Sequence, residues 1–164
     1  MGFAVIGVMM LSQSMNLSDI VNAQADTWNI VYQPLGFFVF FTAGLAEAQR
    51  IPFDLAEAEG DLGAGYHTEY SGMRFSFFMI SEYLVMLTIS VLCVILFFGG
   101  WHGFLVPLPP LLWFSIKVAF FVYLFMWIRF TFPRYRYDQL MSIGWKVLFP
   151  LSLANVLVTG LFMI

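Results

Sequence analysis

The sequence predicts an all-α integral membrane protein, with about four complete transmembrane helices, a truncated helix stub at the amino terminus and a long acidic cytoplasmic loop. Three observations carry that expectation. Of the 164 residues, 61% are hydrophobic and 20% aromatic while only 10% are charged, a balance outside that of soluble globular domains. Apolar runs recur at lengths near the roughly 20 residues that a helix needs to cross about 30 Å of hydrocarbon. Between two of these runs lies a strip, residues 46–74, that concentrates Glu47, Arg50, Asp54, Glu57, Glu59, Asp61, Glu69 and Arg74, almost half of the charged residues in the chain.

The first apolar stretch, residues 2–11, is too short to span. It has neither a basic leading region nor a small-residue cleavage site, so it does not read as a secretory signal. The simplest expectation is a helix whose first half is absent, making the chain a fragment or one half of a split protein. Complete spans are expected at 30–46, 75–98, 111–132 and 143–164, together forming a single membrane domain. The connections at 12–29 and 99–110 contain no Lys or Arg. Arg50, Arg74, Arg134, Arg136 and Lys146 lie in or beside the other two, with Arg129 close by. The positive-inside rule then places the acidic loop, 47–74, and the second basic loop on the cytoplasmic side. Pro107, Pro109 and Pro110 beside Trp101 and Trp113 predict a rigid outer turn with interfacial aromatic anchors.

Several function classes are excluded by composition. The net charge is only −3, and no Lys/Arg run could track a phosphate backbone. Cys93 is the sole cysteine and sits in an apolar run, so this chain alone can build no disulfide, zinc site or iron–sulfur cluster. It reads as a small buried hydrophobe.

Within the strip, Pro52-Phe53-Asp54 followed by Glu57 has the form of a capped helix start. Continued as a helix, the segment sets Glu57 and Asp61 on one face and Glu59 roughly opposite. Like charges stacked one turn apart repel by a few tenths of a kcal/mol. They call either for a cation partner, Arg50 or Arg74, or for a role that uses shifted pKa values. A glycine turn at 63–65 follows. Tyr66, His67, Glu69 and Tyr70 then bring hydrogen-bonding side chains to the membrane edge, where His67 is either an ordinary surface histidine or a ligand. Two charges fall inside spans: Glu82, about 10 Å from the inner edge, and Lys117, about 9 Å from the outer one. Their difference in depth argues against a direct pair. Snorkelling of Lys117 and neutralisation of Glu82 stand against a role for both as stations on a buried proton path.

The runs AEAQRIPFDLAEAEGDLGAGYHTEYSGMRF, FFGGWHG and FPRYRYDQLMSIGWKVLFPLSL closely resemble a family of eight-helix membrane subunits of proton-pumping NADH:quinone oxidoreductase, respiratory complex I. The resemblance extends over essentially the whole chain and corresponds to the carboxyl-terminal half of such a subunit. It implies a membrane component that helps form the quinone chamber and couples quinone reduction to proton translocation, inactive without the other subunits. Carried over by motif, Glu47, Arg50, Asp54, Glu57, Glu59 and Asp61 form the acidic wall of the chamber, with Phe53 part of its lining. Tyr66, His67, Glu69 and Tyr70 continue it, and Glu82 matches a carboxylate of the next helix. Arg134, Arg136 and Asp138 match the second loop. Asp61 stands where the family more often has Glu, and the amino-terminal half that contributes to the chamber is missing. The implied bound substrate is ubiquinone or menaquinone, with flavin, iron–sulfur clusters and NADH oxidation in other subunits. The implied partners are the other membrane and peripheral subunits, the missing half and the bilayer of a bacterial inner or plasma membrane. Alternatives are the equivalent component of a membrane-bound hydrogenase or related dehydrogenase, a passive anchor, and a proton-channel protein.

Overall fold

The computed structural model describes residues 1–49, 52–53, 71–103 and 109–163, and every regular element among them is helical. Helix α1 (Gly2–Ser12) carries no charge and stops where Gln13 turns left-handed, its N–H bonded to Met10 O. Asn16 then starts α2 (Leu17–Ala23) by accepting from the Ser18 N–H, and Asp19 suits the positive end of that helix. The two helices are bent by 62° and together are long and apolar enough to form a broken or re-entrant span.

The span expected at 30–46 is divided into α3 (Asn29–Tyr32) and α4 (Pro34–Glu47). Pro34 has no N–H to donate to the Ile30 carbonyl, and its ring disfavours helical backbone at the preceding residue. Gln33 accordingly sits at φ −132°, ψ 61°. With 14 residues, α4 rises only about 21 Å, short of the hydrocarbon thickness. Among the described residues, three helices have by themselves the length and apolarity to cross: α5 (Met73–Phe97), α6 (Pro110–Thr131), and the stretch Tyr137–Phe162. The last comprises α7 (Tyr137–Ile143), a π turn (Gly144–Leu148) and α8 (Phe149–Met163). It starts earlier than the residue 143 expected from hydropathy. The π turn has a plain cause: Pro150 cannot donate to the carbonyl four residues back, and just before it the Phe149 N–H reaches Gly144 O.

Phenylalanines form the centre of the bundle. Phe37, Phe40 and Phe41 of α4 meet Phe97 and Phe98 at the end of α5 and Phe121 and Phe125 of α6, with ring centroids 4.9 Å apart for Phe98–Phe121 and 5.0 Å for Phe41–Phe125. Most of these pairs are tilted or edge-on, as the ring quadrupole favours. Cys93 is fully buried among them as a small apolar group. Tyr123, Trp127, Phe130, Leu157 and Leu161 are exposed, which in water would be a liability and in a bilayer is the expected outer surface.

The chain reverses after α5 at Gly99 and Gly100, with φ +68° and +50°. A Cβ on Gly99 would lie 2.9 Å from Trp28 Cδ1, and one on Gly100 would lie 2.8 Å from Val21 Cγ2, so both conformation and space require glycine. The fully buried Gln24 holds this reversal against α2 and α3. Its Nε2 donates to Ile20 O and Ile95 O at 3.1 and 3.0 Å, and its Oε1 accepts from the Asn29 and Gly99 N–H groups at 3.3 and 3.0 Å. Asn29 Nδ2 donates to Leu96 O at 3.0 Å. The carbonyls that helix α5 leaves open at its end are thereby partly satisfied by side chains from elsewhere in the bundle.

Replacing Gln24 with Leu strands two buried N–H groups and is expected to cost about 2–4 kcal/mol, against less than about 0.5 kcal/mol for Asn22→Ala on the exposed side of α2. Thermal inactivation of the membrane-embedded protein measures both. Equal midpoints for the two variants would show that Gln24 does not hold the reversal.

Candidate functional site

The two ends of the bundle are built differently. One end, called here the charged end, gathers the close of α4 at Glu47, the start of α5, the close of α6 and the start of α7. The other, the neutral end, holds the Gly99–Gly100 reversal and the starts of α3 and α6.

At the charged end, the Tyr135 N–H donates to Pro52 O at 3.0 Å, and the Phe53 and Tyr135 rings stack with centroids 5.9 Å apart and planes 25° from parallel. Phe53 is buried, as is Ala48 nearby in the chain. The beginning of the acidic strip is therefore pinned to the second basic loop, two segments more than eighty residues apart in sequence. Glu47 closes α4 with an exposed side chain. Arg134, Arg136 and Asp138 are also exposed. Gln139 Oε1 accepts from the Arg136 N–H at 3.2 Å, and Asp138 lies in the first turn of α7, where a carboxylate is favoured. Arg50, Asp54, Glu57, Glu59, Asp61, Tyr66, His67, Glu69 and Tyr70 lie outside the described residues.

Glu82 sits within α5, nearer the charged end, and both of its carboxylate oxygens are buried. One residue further along, a cavity of about 180 Å³ opens between α5 and α6, lined by Tyr83, Met86, Phe125, Met126, Phe130 and one cation, Arg129. Its walls suit an apolar ring or part of a chain rather than a whole extended ligand.

Lys117 belongs to the opposite end. Its buried ammonium donates to three carbonyls, Phe98 O at 2.7 Å, Gly100 O at 3.1 Å and His102 O at 2.6 Å, and lies 4.8 Å from the centroid of a Trp28 ring. These acceptors cluster at the negative end of the α5 dipole, so the charge caps a helix terminus. Sixteen residues separate Glu82 from Phe98, roughly 24 Å of helical rise, so the two intramembrane charges occupy separate environments. Two parts of these arrangements escape sequence reasoning: Tyr135, masked by its charged neighbours in the PRYRYD run, and the uncharged pair Gln24 and Asn29. For that pair, the one available signal is polar residues beside a glycine pair that is remote in the chain. Among the described residues, no three His, Cys, Asp or Glu side chains come together to hold a metal.

The family model described as NADH dehydrogenase matches residues 1–160. A relative in Rhizobium etli, named as a subunit of NADH-quinone oxidoreductase, is 78% identical over 99% of this chain and 48% of its own length. The protein of the same name from Rhizobium meliloti is 80% identical over 98% of this chain and 49% of its own length. The corresponding NADH-quinone oxidoreductase component of Geobacter metallireducens is 55% identical over 98% and 48%. The chain spans about half the length of the curated relatives it matches.

Lys117→Met removes the donor to three carbonyls and is expected to destabilise the bundle by about 3 kcal/mol, the scale of one or two charge-assisted hydrogen bonds. The readout is the thermal midpoint of the membrane-embedded protein. An unchanged midpoint would mean that the ammonium does not serve as the cap of α5.

Proposed function

Because the chain belongs to the NADH dehydrogenase family, we propose that it acts as part of a membrane subunit of NADH:quinone oxidoreductase, forming one wall of the quinone chamber and linking quinone reduction to proton translocation. The observation that carries this reading is the pinning of Pro52 and Phe53 to Tyr135. It draws the start of the acidic strip and the basic Arg134–Arg136 loop to one end of the bundle. Carboxylates, guanidinium groups and aromatic rings are thus supplied to one surface, above a bundle whose Phe-rich interior suits an apolar tail. That surface is assigned to the cytoplasmic face of a bacterial inner or plasma membrane.

In this reading Phe53, Tyr66 and Tyr70 line the chamber. Glu47, Asp54, Glu57, Glu59, Asp61 and Glu69 form its acidic wall, with Arg50 and His67 as partners that balance charge. Reduction of a quinone to a quinol takes up two electrons and two protons, and the electrons come from redox centres in other subunits. The part left to this chain is proton supply and electrostatic response. Carboxylates crowded together hold protons more readily than isolated ones, and they respond when negative charge develops nearby. Glu82, its carboxylate oxygens buried within α5, is the next carboxylate inward from the strip, and Arg129 lines the apolar cavity that opens at the neighbouring Tyr83. Both are placed on the route from chamber to membrane arm. Lys117 is assigned to the far end of that route, where it doubles as the cap of α5. The remaining helices of the chamber come from the other half of a subunit of the relatives' length, and the electron-transfer centres from neighbouring subunits.

Glu57→Gln and Glu59→Gln in the assembled complex test the reading. Normal enzyme content and normal electron transfer from NADH to an artificial acceptor, with quinone reductase activity several-fold lower, are the expected outcome. Loss of a merely capping carboxylate costs about 1 kcal/mol and would instead lower enzyme content. Undiminished quinone reduction and pumping in both variants and in the double variant would return these residues to a solvated acidic face.

A further inference from the structure

We propose that Gln33 and Asn155 hold one buried water molecule at the break between α3 and α4, bridging α1, α4 and α8. Gln33 is 2% exposed and Asn155 8%, yet among the described residues Gln33 Oε1 and Asn155 Nδ2 have no hydrogen-bond partner. One is an acceptor and the other a donor. The orientation of the Gln33 amide is settled by its other atom: Nε2 donates to Gly7 O at 3.1 Å, and reversing the amide would set two oxygens against each other.

Both orphaned atoms lie against the same two glycines. A Cβ on Gly7 of α1 would lie 2.9 Å from Asn155 Nδ2 and 3.1 Å from Gln33 Oε1, and one on Gly36 of α4 would lie 3.0 and 3.2 Å from the same two atoms. The amides therefore converge between two helices that are kept apart from them only by missing side chains. The break adds further donors. Helix α4 begins here with Pro34, its Phe37 N–H is taken by Gln33 O, and the earlier N–H groups of its first turn have no carbonyl within the helix to receive them. Other polar groups on the same side of α8 are already spent on their own helix. Ser152 Oγ donates to Phe149 O and Thr159 Oγ1 donates to Asn155 O, leaving the Asn155 amide as the group aimed outward.

A polar atom without a partner costs several kcal/mol in hydrocarbon, and here two of opposite character face each other across a helix break. A single water accepting from Asn155 Nδ2 and donating to Gln33 Oε1 satisfies both and gains the two to four partners that buried waters ordinarily have. Nothing in this assignment depends on quinone chemistry. It requires only that the bundle lies in a membrane.

A cryo-EM map of the assembled complex, at a resolution that shows ordered solvent, tests the proposal. One peak within about 2.7–3.2 Å of both amide atoms is expected. The two amides bonded directly to each other with no peak between them, or a side chain from another subunit filling the gap, would overturn it. Asn155→Leu and Gln33→Met should each abolish the peak and lower the thermal inactivation temperature, and the double variant should be no worse than the worse single one. Additive losses would show that no shared water couples them. Should those variants fail to assemble, Gly36→Ala keeps both amides and brings a methyl group into the gap. Its map should lack the peak, and a retained peak would count against the site.

Discussion

Hydrocarbon supplies no hydrogen-bond partner, so each place where a helix stops inside this bundle must find its own, and that requirement governs the neutral end. The chain interrupts its helices there at the α2–α3 connection, at Gln33 and at Gly99–Gly100. Each interruption has a polar side chain beside it. Gln24 and Asn29 reach the last carbonyls of α5, Lys117 reaches those of the reversal itself, and Gln33 reaches back to α1. A lysine inside a span is costly when its charge faces lipid. Three carbonyls at the negative end of a helix give that charge a place where the helix also needs it.

The charged end follows a different logic. Its described side chains are largely exposed, and among the described residues its two loops are joined by a backbone hydrogen bond and an aromatic stack. Such a surface exposes the side chains of Glu47, Arg136 and Asp138. The neutral end thus places buried polar side chains on its helix termini, while the charged end presents its polar side chains at the surface. Glu82 lies between the two, its carboxylate oxygens buried in the half of α5 nearer the charged loops.

Helices α5 and α6 coincide almost to the residue with the apolar runs at 75–98 and 111–132, since unbroken apolar runs of 20 or more residues have few alternatives to a helix. The run at 30–46 was misleading. Pro34 is visible in the sequence, yet hydropathy averages across it, and the missing N–H splits the span all the same. Pro150 has a milder effect, because a π turn absorbs the lost donor within a continuing helix. At the candidate site, the strip and the second loop stood out by charge alone. Their junction through Tyr135 did not, because a tyrosine flanked by arginines carries no sign of its stacking partner.

Residue order and composition were enough to establish an all-helical, strongly apolar chain, the position of its long apolar helices, its charged segments and, through motifs, its family. These follow from local chemistry: the transfer cost of each side chain, and the spacing of the charges along one strand of sequence. The folded bundle alone decided which polar group meets which. Gln24 bonds to residues 71 and 75 positions away, and Asn29 to one 67 positions away. That Lys117 meets three carbonyls was decided in the same way. A backbone carbonyl is present at every position and distinguishes none of them, so the partner of a buried donor is settled only when distant helices stop at the same depth.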